Sequence, residues 1–108
     1  MTASDMNASS DSAHYVYVLR CADDTLYTGY TTDPARRTAE HDAGEGAKYT
    51  RGRAPVELVH VERFDTNSGA MSREYAVKQL TRAQKNDLVA GERPTAGERV
   101  PPPEFGAE

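Results

Sequence analysis

"LYTGYTTDPARRTAEH", residues 26–41, runs from an alternating aromatic stretch directly into a helix start. "TLYTGYT" (25–31) has the β-branched and aromatic content of a strand. Asp33 and Pro34 then supply an N-cap and a first helical position. The helix is expected to run to about Asp42 and to stop near Gly44. Upstream, "HYVYVLRC" (14–21) reads as a strand with two largely apolar faces, as in the centre of a sheet, and "ADD" turns it back as a hairpin.

Downstream, "GEGAKYTRGRAP" (44–55) reads as a loop and "VELVHVERF" (56–64) as a third strand. "TNSGAMSREYAVKQL" (66–80) is a helix capped by Thr66, Asn67 or Ser68, and "TRAQKNDLVA" (81–90) a short helix ending at Gly91. The order β-β-α-β-α-α predicts a mixed α+β domain, a small three-stranded antiparallel sheet with flanking helices. Residues 1–13 are small and polar without periodicity, and are expected to be disordered. The Pro-, Gly- and Glu-rich residues 91–108 are expected to form an extended, mobile tail. That leaves one domain over residues 14–90.

Charge is uneven along the chain. The net charge is −4, yet residues 14–90 hold eleven acids and eleven bases, so the acidic excess sits in the flanks. Ten of the thirteen bases are Arg, and acidity with scarce lysine fits either a salt-adapted or a GC-rich source. High salt weakens phosphate binding, so an anion-binding protein there needs several cationic contacts. The longest apolar run, "YVYVL" (15–19), is too short for a membrane span, and the start lacks the basic and apolar regions of a secretory signal. A cytoplasmic protein without membrane attachment is the expectation. Cys21, the only cysteine, excludes an intramolecular disulfide and packs as a small hydrophobe.

Arg37 and His41 are four apart on the first helix and share a face, whereas Arg36 points about 100° away. The hairpin brings Tyr17 and Tyr27 to neighbouring rungs, and Gly29 lets a group approach the strand closely. Two phenols, a guanidinium and an imidazole suit a phosphodiester: Arg for bidentate contact, His or Tyr for proton transfer. The helix's candidate buried face, Ala35, Thr38, Ala39 and Asp42, is small or polar and buries little area. The bland alternative is a surface helix with solvated Arg37 and His41.

Glu74 falls between Ala70, Met71 and Val77, where a carboxylate needs a metal or a cation; a surface pair with Lys78 is the alternative. In the loop, Lys48, Arg51 and Arg53 surround Tyr49, a pattern suited to phosphate contacts and base stacking, though such runs are more often solvated. His14 reads as a flank residue and His60 as a strand residue; neither has metal-ligand spacing with His41.

"YVY" (15–17) and "YTG" (27–29) resemble the two halves of the signature of the GIY-YIG nuclease superfamily. "DPARRTAEH" (33–41) resembles its arginine-bearing helix and "SREYAVKQL" (72–80) the helix with its metal-binding glutamate. The resemblance spans roughly residues 14–90, and "GAKYTRGRAPVELV" (46–59) is most similar to the small standalone members. It implies a metal-dependent endonuclease acting on DNA, at branched, damaged or single-stranded sites in repair or recombination, with no protein partner implied. Carried across, the catalytic set is Tyr17, Tyr27, Arg37, His41 and Glu74. Glu74 holds one Mg²⁺ or Mn²⁺, a tyrosine (Tyr17 preferred over Tyr27) is general base, Arg37 stabilises the pentavalent phosphate and His41 moves the proton.

The resemblance implies that Arg37 and the metal lower the base tyrosine's pKa from about 10. Tyr15, Val16 and Thr28 depart from the signature at packing positions. Tyr30 stands where some repair members carry lysine, and Asn86 is a weak counterpart of a late asparagine. The alternatives are a non-catalytic nucleic-acid-binding module and a protein whose tail recruits a partner.

Overall fold

The computed structural model describes residues 13–101. Its elements are β1 (His14–Arg20), β2 (Leu26–Thr31), α1 (Pro34–Asp42), β3 (Glu57–Phe64), α2 (Asn67–Lys78), α3 (Arg82–Val89) and β4 (Glu98–Arg99). The sheet is antiparallel with order β2-β1-β3-β4, so the expected α+β class holds with four strands in place of three.

β1 is central because it is apolar on both faces: Val16, Tyr17, Val18 and Leu19 are all buried. Tyr17 and Leu19 pack with Leu58 and Val61 on one face. Val18 packs with Leu26, Val77 and Leu88 on the other, beneath α2 and α3. Leu58 and Val61 are three residues apart, which a strict period of two forbids on one face. The register shift opposite Val18 and Leu19 adds the residue that lets both point inward.

The helix ends follow their local chemistry. Asp33 accepts from the Arg36 N–H at 3.1 Å with Pro34 in the first turn. Of the three candidate caps of α2, Thr66 accepts from the Gly69 N–H at 3.0 Å. Thr81 and Gln84 form a reciprocal capping box on α3, and Gly91 (φ 82°) follows its end.

The fourth strand corrects the expectation of a mobile tail from residue 91. Glu98 and Arg99 pair with Arg63 and Glu62, and the Val100 N–H donates to the Val61 carbonyl at 3.0 Å. Arg99 also donates to the carbonyls of Leu88 and Val89, at 3.0 and 2.9 Å, closing the C-terminal end of α3. Composition misled here because the segment is held by polar groups, with Val100 as its one apolar contact to the core. The expectations for residues 1–12 and 102–108 lie outside the described residues.

Candidate active site

Tyr17 projects from the middle of β1 and faces Gly29 on the edge strand β2. A Cβ on Gly29 would lie 2.6 Å from the Tyr17 Cζ, so the phenol lies across bare backbone. Tyr27, two residues before Gly29, points to the same face, its ring centroid 6.3 Å from that of Tyr17. Tyr27 sits opposite Leu19, so the two tyrosines are diagonal neighbours on one face, two rungs apart rather than on the adjacent rungs expected of the hairpin. Gly29→Ala is expected to destabilise the protein by about 1–3 kcal/mol through overpacking; wild-type stability in urea denaturation would contradict this placement.

α1 lies over these rings, but not by the face expected from its small residues. Ala35, Ala39 and Asp42 are exposed and Thr38 is half-buried, while Pro34 and His41 are buried and Arg37 is half-buried. The helix is held by the polar face that carries the candidate chemistry. Its His41 ring packs 5.0 Å from Tyr27 and 5.8 Å from Tyr17, centroid to centroid, so aromatic contact supplies the apolar area that alanines were expected to give.

A chain of hydrogen bonds runs inward from Tyr17. Its hydroxyl lies 2.8 Å from His41 Nε2, and His41 Nδ1 lies 2.7 Å from Thr50 Oγ1. Thr50 donates to the Ala47 carbonyl at 3.1 Å. Burial, and then the Arg37 charge, push the His41 imidazole below its ordinary pKa, against Glu40, which favours its neutral form. Burial likewise pushes the Tyr17 phenol well up, with Tyr27 adding to the rise, while Arg37 opposes it and Glu74 adds a little. The lowering by Arg37 that the resemblance implied is present, and burial outweighs it.

Arg37 donates to Glu40 Oε1 at 2.9 Å and to the Gly46 carbonyl at 3.2 Å. Gly46 serves twice, since a Cβ there would lie 2.6 Å from His41 Cγ. Glu74 on α2 has its side chain only 17% exposed, and its Oε2 accepts from Lys78 Nζ at 3.1 Å. Glu74 thus makes the expected pair with Lys78, and its charge also acts on the Tyr17 phenol.

The basic loop divides into two kinds of residue. Arg53 is engaged by the Asp23 carboxylate and the Tyr49 carbonyl, and its guanidinium lies 4.5 Å from the centroid of the Tyr49 ring. Tyr49 in turn stacks on Tyr27 at 5.7 Å, so both its ring contacts are internal. Lys48 and Arg51 are exposed and make no ion pair among the described residues. Asn86 accepts from Arg82 on its own helix, at 3.1 Å. His14 belongs to β1 and bonds the Tyr30 hydroxyl at 2.7 Å, where Asn67 also donates at 3.0 Å.

Sequence reasoning passed over Thr50 and Gly46, whose partners are nine residues or fewer away but reached through an irregular loop. It also passed over a buried cluster beneath α2. Glu62, fully buried, accepts from Arg73 through Nε (3.0 Å) and Nη2 (3.1 Å), from the N–H groups of Ala96 (3.2 Å) and Gly97 (3.1 Å), and lies 2.8 Å from His60 Nε2. The signal available was a glutamate at an inward position of "VELVHVERF".

Among the described residues no three His, Cys, Asp or Glu side chains come together to enclose a metal. A single sheltered carboxylate such as Glu74 does fit a hard divalent ion that takes its remaining oxygens from water and substrate phosphate. No helix among the described residues is long and apolar enough to cross a membrane.

Residues 13–87, which carry the paired tyrosines of the hairpin, the Arg-His helix and Glu74, match the model of the GIY-YIG catalytic domain. The chain belongs to this nuclease family, whose members act on DNA and generally use a divalent metal. It is 73% identical over 79 residues to a UPF0213 protein of Natronomonas pharaonis, covering 73% of this chain and 93% of that one. A UPF0213 protein of Oceanobacillus iheyensis is 52% identical over 73% of this chain and 92% of its own. The solution NMR structure of a UPF0213 protein from Bacillus halodurans is 51% identical, with TM-score 0.50 over 74% of this chain and 85% of that chain.

Proposed function

We propose that this chain is a divalent-metal-dependent endonuclease that nicks DNA in the cytoplasm at branched, damaged or single-stranded sites in repair or recombination. The observation carrying this reading is the gathering of Tyr17, Tyr27, His41 and Arg37 on one face, with Glu74 acting on the same phenol. Tyr17 takes the proton of the attacking water while its own proton passes to His41 Nε2. The transfer requires no free phenolate, which agrees with a phenol held above its ordinary pKa. Tyr27 orients the water or a phosphate oxygen. Arg37, steadied by Glu40 and Gly46, meets the charge that grows on the phosphate. Mg²⁺ or Mn²⁺ on Glu74 would stabilise the leaving oxygen.

The four loop residues offered as nucleic-acid contacts take different parts in this proposal. Lys48 and Arg51 meet phosphates, while Tyr49 and Arg53 cover Tyr27 and shape the wall of the site. Replacing Lys48 and Arg51 together with alanine is expected to weaken binding to all sequences alike and to lower the salt slope by roughly one per residue. An unchanged slope in a titration series would remove them from the interface.

The test of the main proposal is cleavage of labelled single-stranded, duplex, flapped and branched DNA with Mg²⁺, Mn²⁺ or chelator, across a salt series. Nicking is expected only with metal, and Arg37→Ala is expected to slow it by about 10²–10³-fold. Binding without cleavage on every substrate would instead make this a nucleic-acid-binding module. The partner-recruiting reading has less support, because residues 96–100 are occupied in holding the fold.

A further inference from the structure

We infer that Thr50 is a positioning residue that holds His41 in the tautomer bearing its proton on Nδ1, leaving Nε2 bare to receive the proton of Tyr17. Its place in proton transfer rests on the nuclease reading above; the tautomer itself does not.

A threonine hydroxyl has one proton and two lone pairs. The Thr50 proton goes to the Ala47 carbonyl at 3.1 Å, so only lone pairs face His41 Nδ1 at 2.7 Å. Nδ1 must then carry the hydrogen. A neutral imidazole so protonated has an unprotonated Nε2, and the Tyr17 hydroxyl 2.8 Å away is the donor to it. The opposite tautomer would turn the Thr50 proton from the Ala47 carbonyl to Nδ1, and it would set an Nε2 proton against that of the Tyr17 hydroxyl, leaving the Tyr17 proton without its acceptor. Water does not reach the His41–Thr50 contact to relieve that mismatch, since both residues are at 0% exposure.

The loop is shaped to keep this order. Thr50 also donates its backbone N–H to the Ala47 carbonyl at 3.2 Å, which closes a turn around the hydroxyl. Gly46 leaves room for the imidazole on the same loop. Neither the Arg37 guanidinium nor Glu40, the charged groups acting on His41, bonds its ring nitrogens, so the choice of tautomer falls to Thr50 and Tyr17. The only threonine of "GAKYTRGR" thereby has a role distinct from the phosphate contacts of its basic neighbours.

The experiment is ¹⁵N NMR of the His41 ring at neutral pH in wild type, Thr50→Val and Thr50→Ser, with DNA cleavage measured on the same proteins. Wild type and Thr50→Ser are expected to show Nδ1–H with an unprotonated Nε2. Thr50→Val, which keeps the shape and loses the hydroxyl, is expected to shift toward Nε2–H and to cut DNA on the order of 10–100-fold more slowly. An Nε2–H tautomer in wild type, or a tautomer unchanged by valine, overturns the inference. Should wild type cut no DNA while the tautomers behave as described, the nuclease reading falls and the assignment of Thr50 stands. If Thr50→Val does not fold, a Thr50→Ser protein with wild-type ring shifts and rate supports the inference, and one with Nε2–H refutes it.

Discussion

Glu74→Ala is expected to leave DNA binding intact and to slow cleavage by about 10³-fold or more, to nearly the rate seen in chelator. On the proposed reading binding rests on Arg37, Lys48 and Arg51, and Glu74 pairs with Lys78 rather than with any of these. Losing a negative charge beside the substrate should, if anything, tighten it. On the proposed mechanism what is lost is a sheltered carboxylate that acts on the Tyr17 phenol, and with it the metal that would supply several kcal/mol of stabilisation to the leaving oxygen. Little stability goes with it, because the Glu74–Lys78 pair at i,i+4 contributes only a few tenths of a kcal/mol. The check is single-turnover cleavage of wild type and variant with saturating Mg²⁺ or Mn²⁺, beside equilibrium binding. A variant that cuts at the wild-type rate with metal would remove Glu74 from the chemistry.

Glu62→Ala is expected to destabilise the protein strongly, by about 3–5 kcal/mol. It strands the mostly buried Arg73 guanidinium, whose side chain is 15% exposed, together with His60 and the N–H groups of Ala96 and Gly97. Burial disfavours the Glu62 charge. Hydrogen bonds from His60, Arg73 and the Gly97 N–H nevertheless outweigh it and hold the carboxyl at about 2. Because the folded pKa is depressed, this contribution is fully present above the ordinary value of 4.5 and is lost as the pH falls through about 2. It amounts to on the order of 3 kcal/mol. Urea denaturation of wild type and Glu62→Ala should show a wide gap at pH 7 that narrows between pH 4.5 and 2. A gap of constant width across that interval would mean that the carboxylate is not held in its charged form.

Residues that act through local rules were legible. The strand-to-helix entry at Asp33 and Pro34 and the two-faced apolar β1 depend on local chemistry, and the structure has them where the sequence puts them, while it settles the α2 cap on Thr66 among the three candidates. The candidate chemistry was visible by type and spacing, and resemblance added which positions to group. Three things were not legible, for different reasons. The packed face of α1 was misassigned because burial there is driven by His41 against aromatic rings rather than by alanine area. Thr50 and Gly46 sit in a loop with no period, where nothing in the spacing says which side chain turns inward. β4 has two residues, too few for any pattern, and depends on a glutamate more than thirty positions earlier.

That last dependence separates two boundaries usually treated as one. The stretch recognisable by likeness closes at residue 87. The stretch that completes its own hydrogen bonding runs on to residue 100, through the N–H groups that meet Glu62 and the Arg99 guanidinium that closes α3. A protein trimmed to the recognisable stretch would retain every candidate catalytic side chain and yet carry an under-satisfied buried anion beneath α2, the helix that presents Glu74. The hydrogen-bonded structure of this family member is thus longer at its C-terminus than its signature.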